Sequence, residues 1–93
     1  MAPRPVLEKR LEAYFRAEIK ARGGWAIKML GIAGLPDRMV LMPGARIYFV
    51  ELKAEGGRTS KIQQAVHRRL LALGFVVEVL TGRQEIDGWL ELI

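Results

Sequence analysis

Three residues in this sequence have types and spacing that could carry chemistry: Asp37, Glu51 and Lys53. Glu51-Leu52-Lys53 closes a strand-like run that begins at Arg46, and strand alternation puts Glu51 and Lys53 on one face with Ile47 and Phe49. Tyr48, Val50 and Leu52 point the other way, so a carboxylate and an ammonium stand side by side at the strand end. Asp37 opens a second run, Arg38–Met42, which Pro43-Gly44 joins to the first as the central pair of a type II turn. With a two-residue turn Asp37 faces Val50, one step from Glu51, and a single bulge would bring the two acids level. Carboxylates that close repel unless a proton or cation lies between them, and a hard divalent ion with oxygen ligands removes that cost. Asp37, Glu51 and the Leu52 carbonyl form the candidate site.

Phosphodiester hydrolysis suits such a site, because a divalent ion polarises a phosphoryl oxygen and lowers the pKa of a bound water. Lys53 could then stabilise developing negative charge or orient the attacking water. Gln63 could fix the water or a phosphate. Plainer readings stand beside these. Glu51 and Lys53 could form a solvated salt pair, and Asp37 could be a turn residue after Pro36. Ser60-Lys-Ile-Gln63 has the form of a capping box, a role compatible with catalysis. Gly31-Ile-Ala-Gly34 matches an RNA-binding GXXG loop only by chance, since that loop joins helices and this one joins strands. His67, one position from the apolar stripe of its helix, reads as a surface or partner-facing histidine.

The elements that must position these residues follow from hydropathy. Leu7, Leu11, Phe15 and Ile19 recur at steps of four, so Pro5–Arg22 forms an amphipathic helix that Gly23-Gly24 ends. Trp25–Leu30 reads as a short strand, broken by Gly31, Gly34 and Pro36. After the hairpin comes a polar loop over 54–59. Ile62, Val66, Leu70 and Leu73 then mark the apolar face of a second helix, closed by Gly74. Phe75–Leu80 is a buried strand, and Ile86, Trp89, Leu90 and Ile93 give a short terminal helix. The order is αβββαβα. A helix between the third and fourth strands makes those two parallel, so one α/β domain over 1–93 with a mixed sheet flanked by helices is expected.

Composition narrows the function classes. The 93 residues carry 15 Lys plus Arg against 10 Asp plus Glu, a net charge of +5, and 51% are apolar, which fits a globular fold and excludes disorder as the main state. With no Cys and a single His, thiolate chemistry, disulfides and Cys- or His-rich zinc sites fall away, so any metal must be held by oxygen. Residues 1–69 hold 14 basic and 6 acidic side chains, a concentration of positive charge that points to a polyanion, most simply nucleic acid. Phosphate contacts are expected among Lys9, Arg10, Arg16, Lys20, Arg22, Lys28 and Arg38, with Arg58, Lys61, Arg68 and Arg69. No apolar run reaches the roughly 20 residues of a membrane span, and the opening MAPRPVLEKR lacks a signal-peptide core, so a cytoplasmic protein without a membrane partner is expected. Glu8 and Glu12 stack one helical turn apart at some cost. Glu12 could pair with Arg16, or one of the two glutamates could turn toward the metal.

Taken together, Glu12, Gly34-Leu-Pro-Asp37-Arg38, Val50-Glu51-Leu-Lys53 and Ser60-Lys-Ile-Gln63 resemble the VRR-NUC branch of the PD-(D/E)XK nuclease superfamily, over nearly the whole chain. The motifs are weak singly and specific in combination. The resemblance implies a restriction-endonuclease-like core and a Mg²⁺- or Mn²⁺-dependent endonuclease with no small-molecule cofactor. It implies that Asp37 and Glu51 bind the metal, Lys53 assists the water and Gln63 supports the site. A further glutamate lies about three helical turns before the glycine that ends the first helix, which favours Glu12, with Glu8 as the rival. Small members resemble proteins of phages and bacteria thought to act as homodimers on branched DNA such as four-way (Holliday) junctions. Two-fold symmetric cutting of such a junction needs two active sites, and one 93-residue chain offers one. The competing readings are a non-catalytic DNA-binding module of a replication or repair complex and, behind it, an RNA-binding accessory domain, for which Tyr48 alone could supply a stacking aromatic on the middle strand.

Overall fold

The first helix, α1 (Arg4–Ala21), carries Pro5 in its opening turn, where a proline costs no hydrogen bond, and Lys20 in its last, where a cation suits the carbonyl end. It stops at Gly23, whose positive φ lets the Gly24 N–H turn back to the Ile19 carbonyl at 2.9 Å. The remaining elements are β1 (Trp25–Lys28), β2 (Arg38–Met42), β3 (Arg46–Lys53), α2 (Lys61–Ala72), β4 (Val76–Thr81) and α3 (Gly82–Leu90). This computed structural model describes residues 3–93, so Met1 and Ala2 of the expected domain lie outside the described residues. The order is the αβββαβα read from the sequence.

The four strands form one mixed sheet in the order β1-β2-β3-β4, antiparallel at the first two pairings and parallel at β3-β4. One face packs against α1 and α3. Val40, Val50, Leu52 and Leu80 from the strands meet Phe15 and Ile19 of α1 and Ile86, Trp89 and Leu90 of α3. Phe15 stacks on Trp89 at 5.9 Å between ring centroids, and Tyr48 meets Trp89 edge-on at 5.4 Å. The Tyr14 hydroxyl donates to the Asp87 carboxylate, which ties the two helices together. The other face is covered in part by α2.

Two local features decide where the site residues fall. The hairpin turn has three residues, because both Gly44 (φ 83) and Ala45 (φ 59) adopt the left-handed conformation and Met42 pairs with Arg46. The register therefore sits one step from the expected one: Arg38, not Asp37, faces Val50. Asp37 stands level with Glu51 just past the last ladder pair, and no bulge is needed. Gly34 brings the segment before Asp37 against α2, since a Cβ there would lie 2.6 Å from Ile62 Cγ2 and 2.8 Å from the Ile62 carbonyl. Only glycine permits that approach at φ 87.

Candidate active site

The end of the β2-β3 ladder leaves two backbone donors unpaired, and the two acids take them. The Leu52 N–H donates to Asp37 Oδ2 at 2.8 Å, and the Asp37 N–H donates to Glu51 Oε1 at 3.1 Å. This reciprocal pairing holds both carboxylates side by side at the strand ends. Glu51 Oε2 receives two more donors, Lys53 Nζ at 3.1 Å and Gln63 Nε2 at 2.9 Å. Glu51 is 2% exposed, and burial first and the Asp37 charge second raise its pKa, against the opposing pull of Lys53.

Gln63 reaches Glu51 because α2 starts where it does. Ser60 Oγ accepts the Gln63 N–H at 3.1 Å while Gln63 Oε1 accepts the Ser60 N–H at 2.8 Å, so the capping box is complete. Both ends of the Gln63 amide are thereby engaged, one by the cap and one by Glu51. Its place is that of a support for Glu51, and one N–H of its amide remains uncommitted among the described residues.

One turn further along α2 lies His67, which the structure buries to 7% exposure. This corrects the surface histidine expected from sequence. The inward face of α2 is centred on Gln63 and His67 because it lies over the charged end of β3. Part of its apolar stripe is left outside, with Ile62 at 58% and Leu73 at 72% exposure. The signal was present in the spacing, since residue 67 shares a helix face with residue 63. Burial first and the Lys53 ammonium second lower the His67 pKa, and its Nε2 has no partner among the described residues.

Glu8 and Glu12 of α1 are both half-buried. Glu8 Oε1 comes within 3.5 Å of the point where a Cβ on Gly57 would stand, and the Lys53 Cβ comes within 3.4 Å of the same point. Among the described residues no ion pair joins Glu12 to Arg16. Nor do three His, Cys, Asp or Glu side chains come together as a metal cluster there. The donors at the strand ends are two carboxylates, and one Asp37 oxygen, Oδ1, accepts no hydrogen bond among the described residues. That hard, oxygen-only set fits Mg²⁺, which binds through one or two carboxylates and keeps waters for the rest.

Of the expected phosphate contacts, Arg16, Lys20, Lys28 and Arg38 gather around a cavity of about 580 Å³ between α1 and β1. Lys9, Arg58 and Lys61 do not line it; all three are exposed elsewhere. Among the described residues no helix is long and apolar enough to cross a membrane.

No family model matches the chain. The chain is 40% identical over 82 residues to a phage protein, "Putative nuclease p44" of Acyrthosiphon pisum secondary endosymbiont phage 1, an alignment that covers 86% of this chain and 88% of the relative. It is also similar to a solved structure described as a VRR_NUC domain, with a TM-score of 0.84 at 31% identity, covering 90% of this chain and 94% of that one.

Proposed function

The chain belongs to the VRR-NUC family, with its restriction-endonuclease-like α/β fold, and from that premise we propose a divalent-metal-dependent endodeoxyribonuclease that cuts branched DNA, such as four-way junctions, as a homodimer. The observation that carries this reading is the level pairing of Asp37 with Glu51, with Lys53 and Gln63 both on one oxygen of Glu51. Such an arrangement gathers negative charge that protein donors only partly offset.

Asp37, Glu51 and the Leu52 carbonyl would hold Mg²⁺ or Mn²⁺, which when bound supplies Lewis-acid polarisation of a phosphoryl oxygen and a more acidic water. Lys53, anchored by Glu51 and 14% exposed, presents its ammonium beside the carboxylates, where it can orient the attacking water and stabilise charge that builds on the phosphate. Gln63 fixes the Glu51 carboxylate through the capping box and so sets the direction of its oxygens. On α1, Glu12 is the further ligand that the family pattern favours, while the placement of Glu8 beside Gly57 and Lys53 supports its rival.

The homodimer reading draws on apolar surface. Ile32, Leu35, Val66, Leu70 and Leu73 border a groove of about 230 Å³, with Ile32 at 67% and Leu73 at 72% exposure. A second copy would cover these side chains and bring a second active site to a two-fold symmetric junction. The same reading places the protein in the cytoplasm of a bacterium or a phage-infected host.

The test is cleavage of labelled four-way junction and linear duplex by the purified protein with Mg²⁺, with Mn²⁺ and with EDTA, beside Lys53→Ala. Junction cutting in either metal, abolished by EDTA and by the substitution, is the expected result. Tight junction binding without cutting in either metal would overturn the catalytic reading in favour of a binding module. Sedimentation at micromolar concentration should give twice the 10.5 kDa chain mass, and a monomer there would overturn the homodimer.

A further inference from the structure

Arg38 follows Asp37 along β2, so its side chain lies on the opposite face of the sheet from the two carboxylates. It is 7% exposed, yet no acid pairs with it among the described residues. Among the described residues the side chain makes a single hydrogen bond, from Nη1 to the Ala26 carbonyl at 3.3 Å, and its Nε, shielded from solvent, has no partner. A guanidinium stays charged at any ordinary pH, and leaving it buried and unpaired is costly. The surroundings add to that cost. Arg38 lies at the cavity between α1 and the β1 edge, whose other charged lining residues are Arg16, Lys20 and Lys28, with no Asp or Glu among them. Four cations around one space repel one another until an anion enters.

We propose that this cavity is a second hold on the DNA: a subsite for a backbone phosphate, with Arg38 as its fixed base and Arg16, Lys20 and Lys28 as its mobile walls. The inference rests on the reading of the protein as a DNA-cutting enzyme. A tetrahedral anion with several acceptor oxygens matches both the forked guanidinium and the longer reach of the lysines. A volume of about 580 Å³ admits a phosphate with its flanking sugars. Lys28 stands directly opposite Arg38 in the β1-β2 register, so the ladder itself sets the spacing of two of the four cations. Because Asp37 and Arg38 face opposite sides, the phosphate held here is not the one cut. It fixes the direction in which the DNA crosses the molecule, as backbone contacts do in general.

The test uses the whole protein in EDTA, so that binding is read without cleavage. Affinity for a fluorescent four-way junction is measured across a salt series for wild type, Arg38→Met and the double variant Lys20→Met/Lys28→Met. The double variant changes exposed positions and so guards against a folding defect at Arg38. Each variant should bind roughly tenfold more weakly, with the salt slope reduced by about one to two. In parallel, the NMR resonance of the Arg38 Nε–H should move when micromolar junction is added. Wild-type affinity and slope in both variants, with an unmoved resonance, would overturn the subsite. A resonance that moves with millimolar inorganic phosphate and not with junction would also overturn it, in favour of a small-anion site. Cleavage assayed alongside separates the two ideas: cutting by wild type with unchanged binding in both variants removes the subsite and leaves the nuclease. Absent cutting removes the nuclease, and the junction-induced resonance shift then judges the subsite alone.

Discussion

One sheet presents two faces that are built to opposite rules. Under α1 and α3 the strands offer Val40, Val50, Leu52 and Leu80 to Phe15, Ile19, Ile86 and Trp89, all buried and apolar. Under α2 the same strands offer Phe49, Glu51 and Lys53, and the helix answers with Gln63 and His67. Apart from Arg38 at the β1 edge, the buried side chains of the first face are apolar and gain free energy from their contacts. The second buries a carboxylate and an imidazole that resist burial, and leaves Ile62 and Leu73 in water. In a domain this small the apolar face must supply the surplus that lets the polar one exist. Substitutions on the two faces should therefore separate stability from activity.

The sharpest test of that division is Phe15→Ala. Phe15 is fully buried against Trp89, so its removal should cost about 3–5 kcal/mol, much of the stability of a small domain. Thermal denaturation should show a transition lowered by at least 10 °C, on the order of what that loss implies for a domain of this length. A small shift would mean that the apolar face is not where stability resides. Lys53→Ala probes the other side. Junction cleavage should fall about 10²- to 10³-fold, the usual cost of losing one preorganised charge donor, while the melting temperature stays within a few degrees. A loss of folding equal to that of Phe15→Ala would erase the contrast between the faces.

Gln63→Ala sits between the two classes. It removes one of the two donors on Glu51 Oε2 and half of the capping box at once. Stability should drop by about 1 kcal/mol, from the cap, and cleavage by about tenfold, from a freer Glu51. Gln63→Glu would keep the cap acceptor but set a further carboxylate, beside that of Asp37, against Glu51. Its cleavage should fall below that of the alanine variant at neutral pH, and similar rates in the two would mean that the amide does not act through Glu51.

Much of this division was legible in the sequence. The αβββαβα order follows from apolar spacing, and the apolar face follows from Phe15, Ile19, Val50 and Leu52, each of which sits where a period of 3.6 or 2 puts it. The register did not follow, because the third turn residue is Ala45, and nothing in an alanine announces a left-handed φ of 59°. The inward face of α2 was misread for a different reason. Hydropathy predicts which side of a helix meets apolar partners, but this helix lies over Glu51 and Lys53, which lie ten or more positions away in sequence. The gathering of Arg16, Lys20, Lys28 and Arg38 was equally hidden, since one helix and two strands contribute to it.

His67 gives the smallest effect and the most direct reading of how the polar face is coupled. Its side chain loses solvation on burial and meets the Lys53 ammonium, and both favour the neutral imidazole, while the Asp37 carboxylate pulls weakly the other way. Its pKa in the folded protein thus lies below the ordinary 6.5, where it titrates in the unfolded chain. The unfolded state therefore binds more protons between these two values, and folding stability contributed here is full above pH 6.5 and lost as the pH falls through the folded pKa. An NMR titration of His67 should give a midpoint below 6.5, and in Lys53→Ala the midpoint should rise only part of the way back, because burial is the larger cause. A midpoint that does not move in Lys53→Ala would mean that His67 does not sense the ammonium, and burial alone would then account for its lowered pKa.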